Sequence, residues 1–510
     1  MNKHLFMTFG ILAAFSLFCG CASVSKGDVN MGYDQGISEA PWVSDGENYQ
    51  YDSVTEQGFC DAQTQPSSYF SLDRNTAGYS LVRTQVKNGL QIAPDSVRLE
   101  EMVNYFDYDY PAPEKGEGVS VSAYLSDCPW KEDHRLMTVG VRTEEAEQGG
   151  DANYVLLVDV SGSMGSAVYG YDEMTRLDLV RYGANKMVDG LDEKDRVSIV
   201  TYASGVRTVL ESTAATDEGK QQIRNALARL SASGSTSGSD GLQRAYEQAE
   251  EYKAPGGNNR VVLLTDGDFN VGIYDTDALT KFIREKAESG VGLSVVGVGL
   301  GNTRDDLMQT LALNGNGSYC YMDTKEEAEK VFTKELAGTL YTVAYNAKAG
   351  VTFNADRVSS YRLLGYDMKH ISAEDFENPE KDTGEIGSNL CVTVLYELEL
   401  NEAETEGSLA EVAVRWQDAQ SENAEAVLTV TGEEGDNEDV RFAACVAEFA
   451  LVLRRSQYAG SASIANVLAR LNELQAGFAD DVYKTEFVQI VSLAGESGFY
   501  GAQGQDNEAR

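Results

Sequence analysis

Histidine, cysteine and basic residues are scarce in this 510-residue chain, and each scarcity excludes a class of protein. There are 3 histidines and 7 cysteines, and no Cys-x-x-Cys spacing occurs, so the sequence shows no zinc site. Lys and Arg number 41 against 81 acidic residues, which gives a formal net charge of −40. Because phosphate groups repel such a surface, we predict that the protein does not bind nucleic acid.

Long apolar runs are missing as well, except for a short one near the N-terminus. This run, residues 5–18, is shorter than the roughly 20 residues that a membrane-spanning helix needs. It ends in Phe18-Cys19-Gly20-Cys21, which resembles a bacterial lipobox with Cys21 as the lipidated residue. We therefore predict a lipoprotein signal peptide over residues 1–21, and a lipid-anchored, extracytoplasmic protein of the cell membrane or outer membrane. Ordinary secretion is the alternative.

The rest of the chain divides into six predicted segments by composition and periodicity. The polar, glycine-rich segment 22–67 is predicted to be a flexible tether. The others are an N-terminal region at 68–148, an α/β domain at 152–340, a β-rich region at 341–435, a helical region at 436–496 and a tail at 497–510.

The predicted α/β domain alternates short apolar strands with amphipathic helices. The predicted strands include residues 154–159, 196–202, 260–265 and 292–298, with helical periodicity between them. Such alternation favours a doubly wound, mainly parallel sheet with helices on both faces. We expect a β-rich, sandwich-like region and a C-terminal helical segment beside it.

Side chains with small, hard oxygen ligands follow two of these predicted strands. Asp159, Ser161 and Ser163 follow the first, and Asp266 follows a later one. In an open parallel sheet, ligands bind at the carboxyl ends of the strands. Carboxylate and hydroxyl oxygens suit Mg²⁺ or Mn²⁺ better than Zn²⁺ or Cu²⁺.

Together with the segment Gly234-Ser-Thr-Ser-Gly238, these fragments resemble the metal-ion-dependent adhesion site of von Willebrand factor type A (VWA) domains. The matching positions are Asp159, Ser161, Ser163, Thr236 and Asp266. The resemblance implies that the three hydroxyls contact a cation, Mg²⁺ or else Mn²⁺ or Ca²⁺. It also implies that the two aspartates bind the cation directly or through water, and that one position stays open for a partner's carboxylate. A polar turn that binds no metal is the alternative.

The segments on either side resemble those of a family of bacterial VWA-domain lipoproteins. The matching pieces are Phe70-Ser71-x-Asp73, the string Asn-Tyr-Phe-Asp-Tyr-Asp-Tyr-Pro from Asn104, Cys128-Pro129-Trp130, and Leu453-Arg-Arg-Ser456-x-Tyr458-x-Gly460. The role of that family is largely unknown, so the resemblance identifies relatives and implies no activity.

Two structural expectations concern these flanking regions. Residues 115–145 are predicted to pair with strands from 345–432 in one β-sandwich, with the α/β domain inserted between them. A helix near residues 97–106 is predicted to pack on one side only, through Met102 and Phe106. Its opposite face would carry Glu101 and Asn104.

The leading functional hypothesis is a non-enzymatic binding module that captures an acidic residue of a partner protein through the metal. The alternatives are a scaffold role in an envelope complex and, less favoured, a metal-dependent hydrolase. Hydrolysis is disfavoured because serine and threonine ligands supply no general base. Nucleotide binding is not expected either. The run Gly297-Val-Gly299-Leu-Gly301 lies on a late strand, and its third glycine is misplaced for a dinucleotide loop.

Overall fold

The computed structural model describes residues 55–145, 151–168, 173–235, 238–267, 276–299, 305–336, 342–381, 383–401, 407–418 and 420–498. The predicted signal peptide, Cys21, most of the predicted tether, Thr236 and the tail beyond 498 lie outside these residues. Within them, no helix combines the length and the apolar character needed to cross a bilayer.

The elements below are numbered in chain order. The strands are β1 (Cys60–Asp61), β2 (Ser67–Ser71), β3 (Val119–Asp127), β4 (His134–Thr143), β5 (Ala152–Asp159), β6 (Arg196–Tyr202), β7 (Val206–Ala214), β8 (Asn258–Thr265), β9 (Gly292–Val298), β10 (Tyr319–Met322), β11 (Thr342–Phe353), β12 (Val358–Leu364), β13 (Gly384–Gly387), β14 (Cys391–Leu400), β15 (Ala410–Gln417) and β16 (Asn423–Val430). The helices are α1 (Ala77–Lys87), α2 (Leu99–Asn104), α3 (Arg176–Gly190), α4 (Asp217–Ala228), α5 (Gly238–Glu251), α6 (Thr276–Glu288), α7 (Asp305–Asn314), α8 (Lys325–Lys330), α9 (Ala373–Glu377), α10 (Glu438–Arg454), α11 (Ile464–Leu474) and α12 (Val482–Glu496).

The α/β domain contains the predicted sheet, in the order β10-β9-β8-β5-β6-β7. All neighbouring pairs from β10 to β6 are parallel. Every residue of β5 is buried, because helices cover both faces of the sheet. The edge strand β7 is antiparallel and was not predicted. Its partly exposed pattern lacks the apolar run by which the buried strands are recognised.

The predicted β-sandwich is confirmed. One sheet has the order β1-β12-β14-β4-β3, and β14 pairs with β4 in antiparallel register, with Gly140 opposite Thr393. The second sheet has the order β13-β11-β15-β16, and β2 also pairs with β11. Side chains of both sheets, such as Val139 and Val412, fill one core. The α/β domain is therefore inserted between two halves of the sandwich.

The helical region packs around α2, and here the one-sided packing predicted for this helix is wrong. Phe106, two residues after the end of α2, contacts Phe442 of α10 and Phe487 of α12, with ring centroids 5.0 Å and 5.4 Å away. The polar face is buried as well. Glu101 is 1% exposed and accepts a hydrogen bond from the Gly78 amide at 2.8 Å. Asn104 accepts one from the Thr393 amide at 2.7 Å. These two polar groups can be buried because they have hydrogen-bond partners inside the protein. The helical periodicity of the sequence does not reveal such partners, so it predicted an exposed face.

The predicted tether ends earlier than residue 67. Residues 60–61 pair with β12, and Glu56 accepts hydrogen bonds from Arg362 at 3.1 Å and from Ser456 at 2.6 Å. Short strands of this kind leave little periodicity in the sequence. The end of the tether was therefore predicted from composition alone, and it was predicted too late in the chain. The sequence left the pairing of five cysteines open, and in the structure all five are free thiols: Cys60, Cys128, Cys320, Cys391 and Cys445.

Candidate metal centre

Asp159 is the last residue of β5, the strand between β6 and β8 in the sheet. Its carboxylate is fully buried. One oxygen accepts a hydrogen bond from the Ser161 amide at 2.8 Å. The other accepts from the hydroxyls of Tyr202 and Thr265, each at 3.2 Å. Side chains from both neighbouring strands therefore hold this carboxylate in place.

The two serines lie in the turn that follows. The Ser161 side chain is 1% exposed, and a 3₁₀ turn over Gly162–Gly165 begins directly after it. The hydroxyl oxygens of Ser161 and Ser163 are 3.0 Å apart. The structure thus places two hydroxyls side by side, two and four residues after Asp159.

Thr236 lies outside the described residues, but the chain on either side of it is fixed close to this turn. The amide of Gly162 donates to the Gly234 carbonyl at 3.0 Å. Gly234 has φ of +89°, and a Cβ there would lie 2.5 Å from the Ser204 hydroxyl oxygen, so only glycine fits. After residue 236, a Cβ on Gly241 of α5 would lie 2.9 Å from the Tyr202 Cβ. The described residues on the two sides of Thr236 therefore lie against the turn after β5 and against the end of β6.

Asp266 follows β8 directly and is 3% exposed. Its Oδ2 atom accepts a hydrogen bond from Arg176 at 2.7 Å. Its Oδ1 atom is buried and has no hydrogen-bond partner among the described residues. Arg176 is the first residue of α3, and a capping box between Thr175 and Asp178 fixes the start of that helix. One oxygen of Asp266 is thus neutralised by an arginine, and the other is left for a further cation or a water.

The electrostatics of the two aspartates favour a bound cation. Burial and the nearby carboxylate of Asp266 together raise the pKa of Asp159 to about 6, although the hydrogen bonds from Ser161 and Thr265 lower it. A divalent cation beside it would stabilise the charged form and lower this pKa again. Among the described residues, no group of three or more His, Cys, Asp or Glu side chains could hold a metal ion. The candidate set instead combines two carboxylates with hydroxyls, and this donor set fits Mg²⁺.

Three residues at this centre were not identified from the sequence: Arg176, Tyr202 and Thr265. Thr265 precedes Asp266, and Tyr202 ends a predicted strand, so the position of each at a strand end was an available signal. Arg176 begins a helix in a part of the chain distant from Asp266, and no local pattern connects the two residues.

Three family models match successive parts of the chain. The model of the von Willebrand factor type A domain matches residues 153–335, and a model described as von Willebrand factor matches residues 45–138. A third, described as "Uncharacterized protein YfbK, C-terminal", matches residues 338–496. "Uncharacterized protein YfbK" of Escherichia coli (strain K12) is 35% identical over 459 residues, which are 84% of this chain and 78% of that protein. The chain belongs to the YfbK family of VWA-domain proteins.

Other similar proteins match a smaller part of this YfbK-family chain. Protein sll0103 of Synechocystis sp. is 26% identical over 42% of this chain and 49% of its own length. Inter-alpha-trypsin inhibitor heavy chain H3 of Homo sapiens is 25% identical over 44% of this chain and 26% of its own length. A solved structure of a von Willebrand factor type A protein from Catenulispora acidiphila is 15% identical, covers 73% of this chain and 89% of its own, and has a TM-score of 0.42.

Membership of the YfbK family confirms the predicted VWA domain and its family-specific flanking regions. VWA domains mediate protein–protein interactions, and they commonly bind a divalent metal at a metal-ion-dependent adhesion site. The VWA domain of this chain therefore indicates an interaction or scaffold role. These matches indicate no catalytic family.

Proposed function

We propose that this protein captures an acidic segment of a partner protein through a divalent cation, Mg²⁺ or else Mn²⁺ or Ca²⁺. The residues that would hold the cation are Asp159, Ser161, Ser163, Thr236 and Asp266. The observation that carries the proposal is the buried Oδ1 atom of Asp266, which lacks a hydrogen-bond partner among the described residues. It belongs to a centre with a second buried carboxylate and two adjacent hydroxyls. An unsatisfied carboxylate oxygen in such surroundings is costly unless a cation or water binds it.

The charge of the protein supports a role for the cation in recognition. At a net charge of −40, the surface as a whole repels an acidic partner. A divalent cation at the carboxyl ends of β5 and β8 would supply positive charge at one point and offer a free coordination position to a carboxylate. We expect an acidic partner to associate at this end of the sheet and not across the surface as a whole.

The proposal predicts capture that a chelator reverses. Immobilised protein in Mg²⁺ should retain blocked peptides that contain one glutamate, because the side-chain carboxylate completes the coordination of the cation. EDTA should release them, and renewed Mg²⁺ should restore retention. The matched control is the same peptide with glutamine, which keeps the shape and removes the charge. Equal retention of both peptides, or retention that survives EDTA, would contradict metal-mediated capture.

A structural role for the cation within an envelope scaffold is the second candidate. It is favoured by Arg176, which already neutralises one oxygen of Asp266 and so connects the centre to the start of α3. Mg²⁺ would raise the midpoint of urea unfolding under either function, but under this one the glutamate peptide would not bind, and the peptide result separates the two functions.

We further propose that Cys21, which lies outside the described residues, carries a lipid that anchors the protein outside the cytoplasm, in the cell membrane or outer membrane. Cys21→Ser should move the protein from the detergent phase to the soluble fraction. Each buried acyl methylene contributes about 0.8 kcal/mol, and nothing in residues 22–54 would replace that binding energy. Fractionation after a high-salt wash measures the outcome. Cys19→Ser is the matched control and should stay membrane-bound, so retention of the Cys21 variant as well would refute lipidation at Cys21.

A further inference from the structure

A groove borders the candidate metal centre on the side of the edge strand β7. Its cavity volume is about 460 Å³, and its lining includes Val160 and Gly234, which belong to the two loops of the metal centre. In the sheet, Asp159 is opposite Tyr202 of β6, and the preceding residue Thr201 is opposite Arg207 of β7. Since neighbouring strands are about 4.8 Å apart, the backbone of Arg207 lies about 10 Å from β5.

The charge of this groove is opposite to that of the molecule. Arg207 and Arg229 line it, and its described lining contains no carboxylate, although the chain has 81 acidic residues against 41 basic ones. Both arginines are exposed. Arg229 donates from Nε to the Asn225 carbonyl at 2.9 Å. Neither guanidinium forms an ion pair with any residue in the described part of the chain. The groove therefore presents two cationic groups that no acid among the described residues neutralises.

The groove also offers apolar contact. Val209 lines the groove together with Arg207, and 39% of the Val209 surface is exposed. The Ser204 hydroxyl, which accepts a hydrogen bond from the Ser235 amide at 3.0 Å, lies between these two residues and the metal centre. A segment of polypeptide could cover both the arginines and Val209, whereas a free inorganic anion would leave Val209 in water.

We infer that this groove, the arginine groove, binds a second carboxylate of the same acidic partner segment. One carboxylate of the segment coordinates the cation, and another accepts hydrogen bonds from Arg207 and Arg229, whose planar forks match a carboxylate. The inference rests on the proposed function for the first carboxylate. It also predicts specificity: the protein should bind segments with two acidic residues more tightly than segments with one.

The experiment compares two blocked Gly/Ser peptides titrated into the full chain in detergent with Mg²⁺. One contains a single glutamate. The other has a second glutamate three residues away, a span of about 10 Å in an extended chain. We expect the second peptide to bind about tenfold more tightly. In the double variant Arg207→Gln, Arg229→Gln, this advantage should disappear while single-glutamate binding and Mg²⁺ affinity stay unchanged. High salt should reduce the advantage too, because exposed charges are screened.

The matched control is Lys131→Gln with Lys281→Gln, which removes the same charge at exposed positions outside the groove and should keep the full advantage. Equal affinity of the two peptides for the parent protein would refute binding of a second carboxylate in the arginine groove. It would not contradict metal-mediated capture of the first carboxylate. An equal loss in the control variant would also refute binding in the arginine groove, because net charge alone would then explain the preference. If the single-glutamate peptide does not bind in Mg²⁺, the proposed function fails, and the inference fails with it.

Discussion

Asp159→Asn should abolish Mg²⁺ binding, with a loss of affinity of about a hundredfold or more, equal to at least about 2.7 kcal/mol. Asparagine keeps the shape of the side chain and can still accept from the Ser161 amide, but it lacks the negative charge that a divalent cation needs. Because burial raises the pKa of Asp159 to about 6, above its ordinary value, the charge that this carboxylate carries at neutral pH destabilises the metal-free fold. We therefore expect the metal-free variant to be at least as stable as the parent.

Two measurements check this result together. Isothermal titration gives the Mg²⁺ affinity, and urea unfolding with and without Mg²⁺ gives the stability that the cation adds to the folded state. The matched control is Asp151→Asn, at the exposed residue directly before β5, which should change neither the Mg²⁺ affinity nor the stability. Thr236→Ala should weaken binding by less than Asp159→Asn, because it removes one neutral oxygen and no charge. Unchanged Mg²⁺ affinity in Asp159→Asn would exclude Asp159 as a ligand.

Arg83→Met should destabilise the fold by about 3–5 kcal/mol, because it leaves buried acids without their cation. The Arg83 side chain on α1 is 1% exposed. It pairs with Asp323 after β10, with Glu327 of α8 at 2.9 Å and with Glu486 of α12 at 3.1 Å. One guanidinium thus links the N-terminal region, the VWA domain and the C-terminal helices. Urea unfolding followed by the fluorescence of the buried Trp130 measures the loss.

Arg224→Met is the matched control, since it breaks a partly exposed pair with Asp189 and should cost about 1 kcal/mol or less. A triple variant that adds Asp323→Asn and Glu327→Gln to Arg83→Met should recover most of the loss, because the uncompensated charges are then gone. A loss for Arg83→Met no larger than that for Arg224→Met would show that the buried network contributes little.

The sheet and the strand-end positions of Asp159 and Asp266 were predictable because local pattern determines both. A buried parallel strand is an apolar run, and the polar residue that ends it is visible in the sequence. The contact between Arg176 and Asp266 was not predictable, since it depends on how α3 packs against the end of β8. The binding of a cation, and its identity, stay predictions for the same reason: ligand geometry is set by tertiary contacts.

Other differences between expectation and structure arise where polar groups are satisfied by distant partners. Glu101 and Asn104 have the spacing of an exposed helix face, but their partners Gly78 and Thr393 lie elsewhere in the chain. The start of the folded body was misplaced because Glu56 is held by Arg362 and Ser456, both far away in sequence. Periodicity reports the local environment and contains no information about such contacts.

The insertion of the VWA domain into the sandwich also constrains the order in which the protein can fold during synthesis. β4 emerges from the ribosome long before β14, the strand that pairs with it. All strands of the VWA sheet, by contrast, lie between residues 152 and 322, so this sheet can form without any later strand. Contacts of such high sequence separation form slowly. The VWA domain can therefore be complete while β4 is paired with β3 alone and its other edge lacks β14. Until then the β4 edge is exposed, and a nascent chain that stops before residue 391 presents it to any other chain able to add a strand.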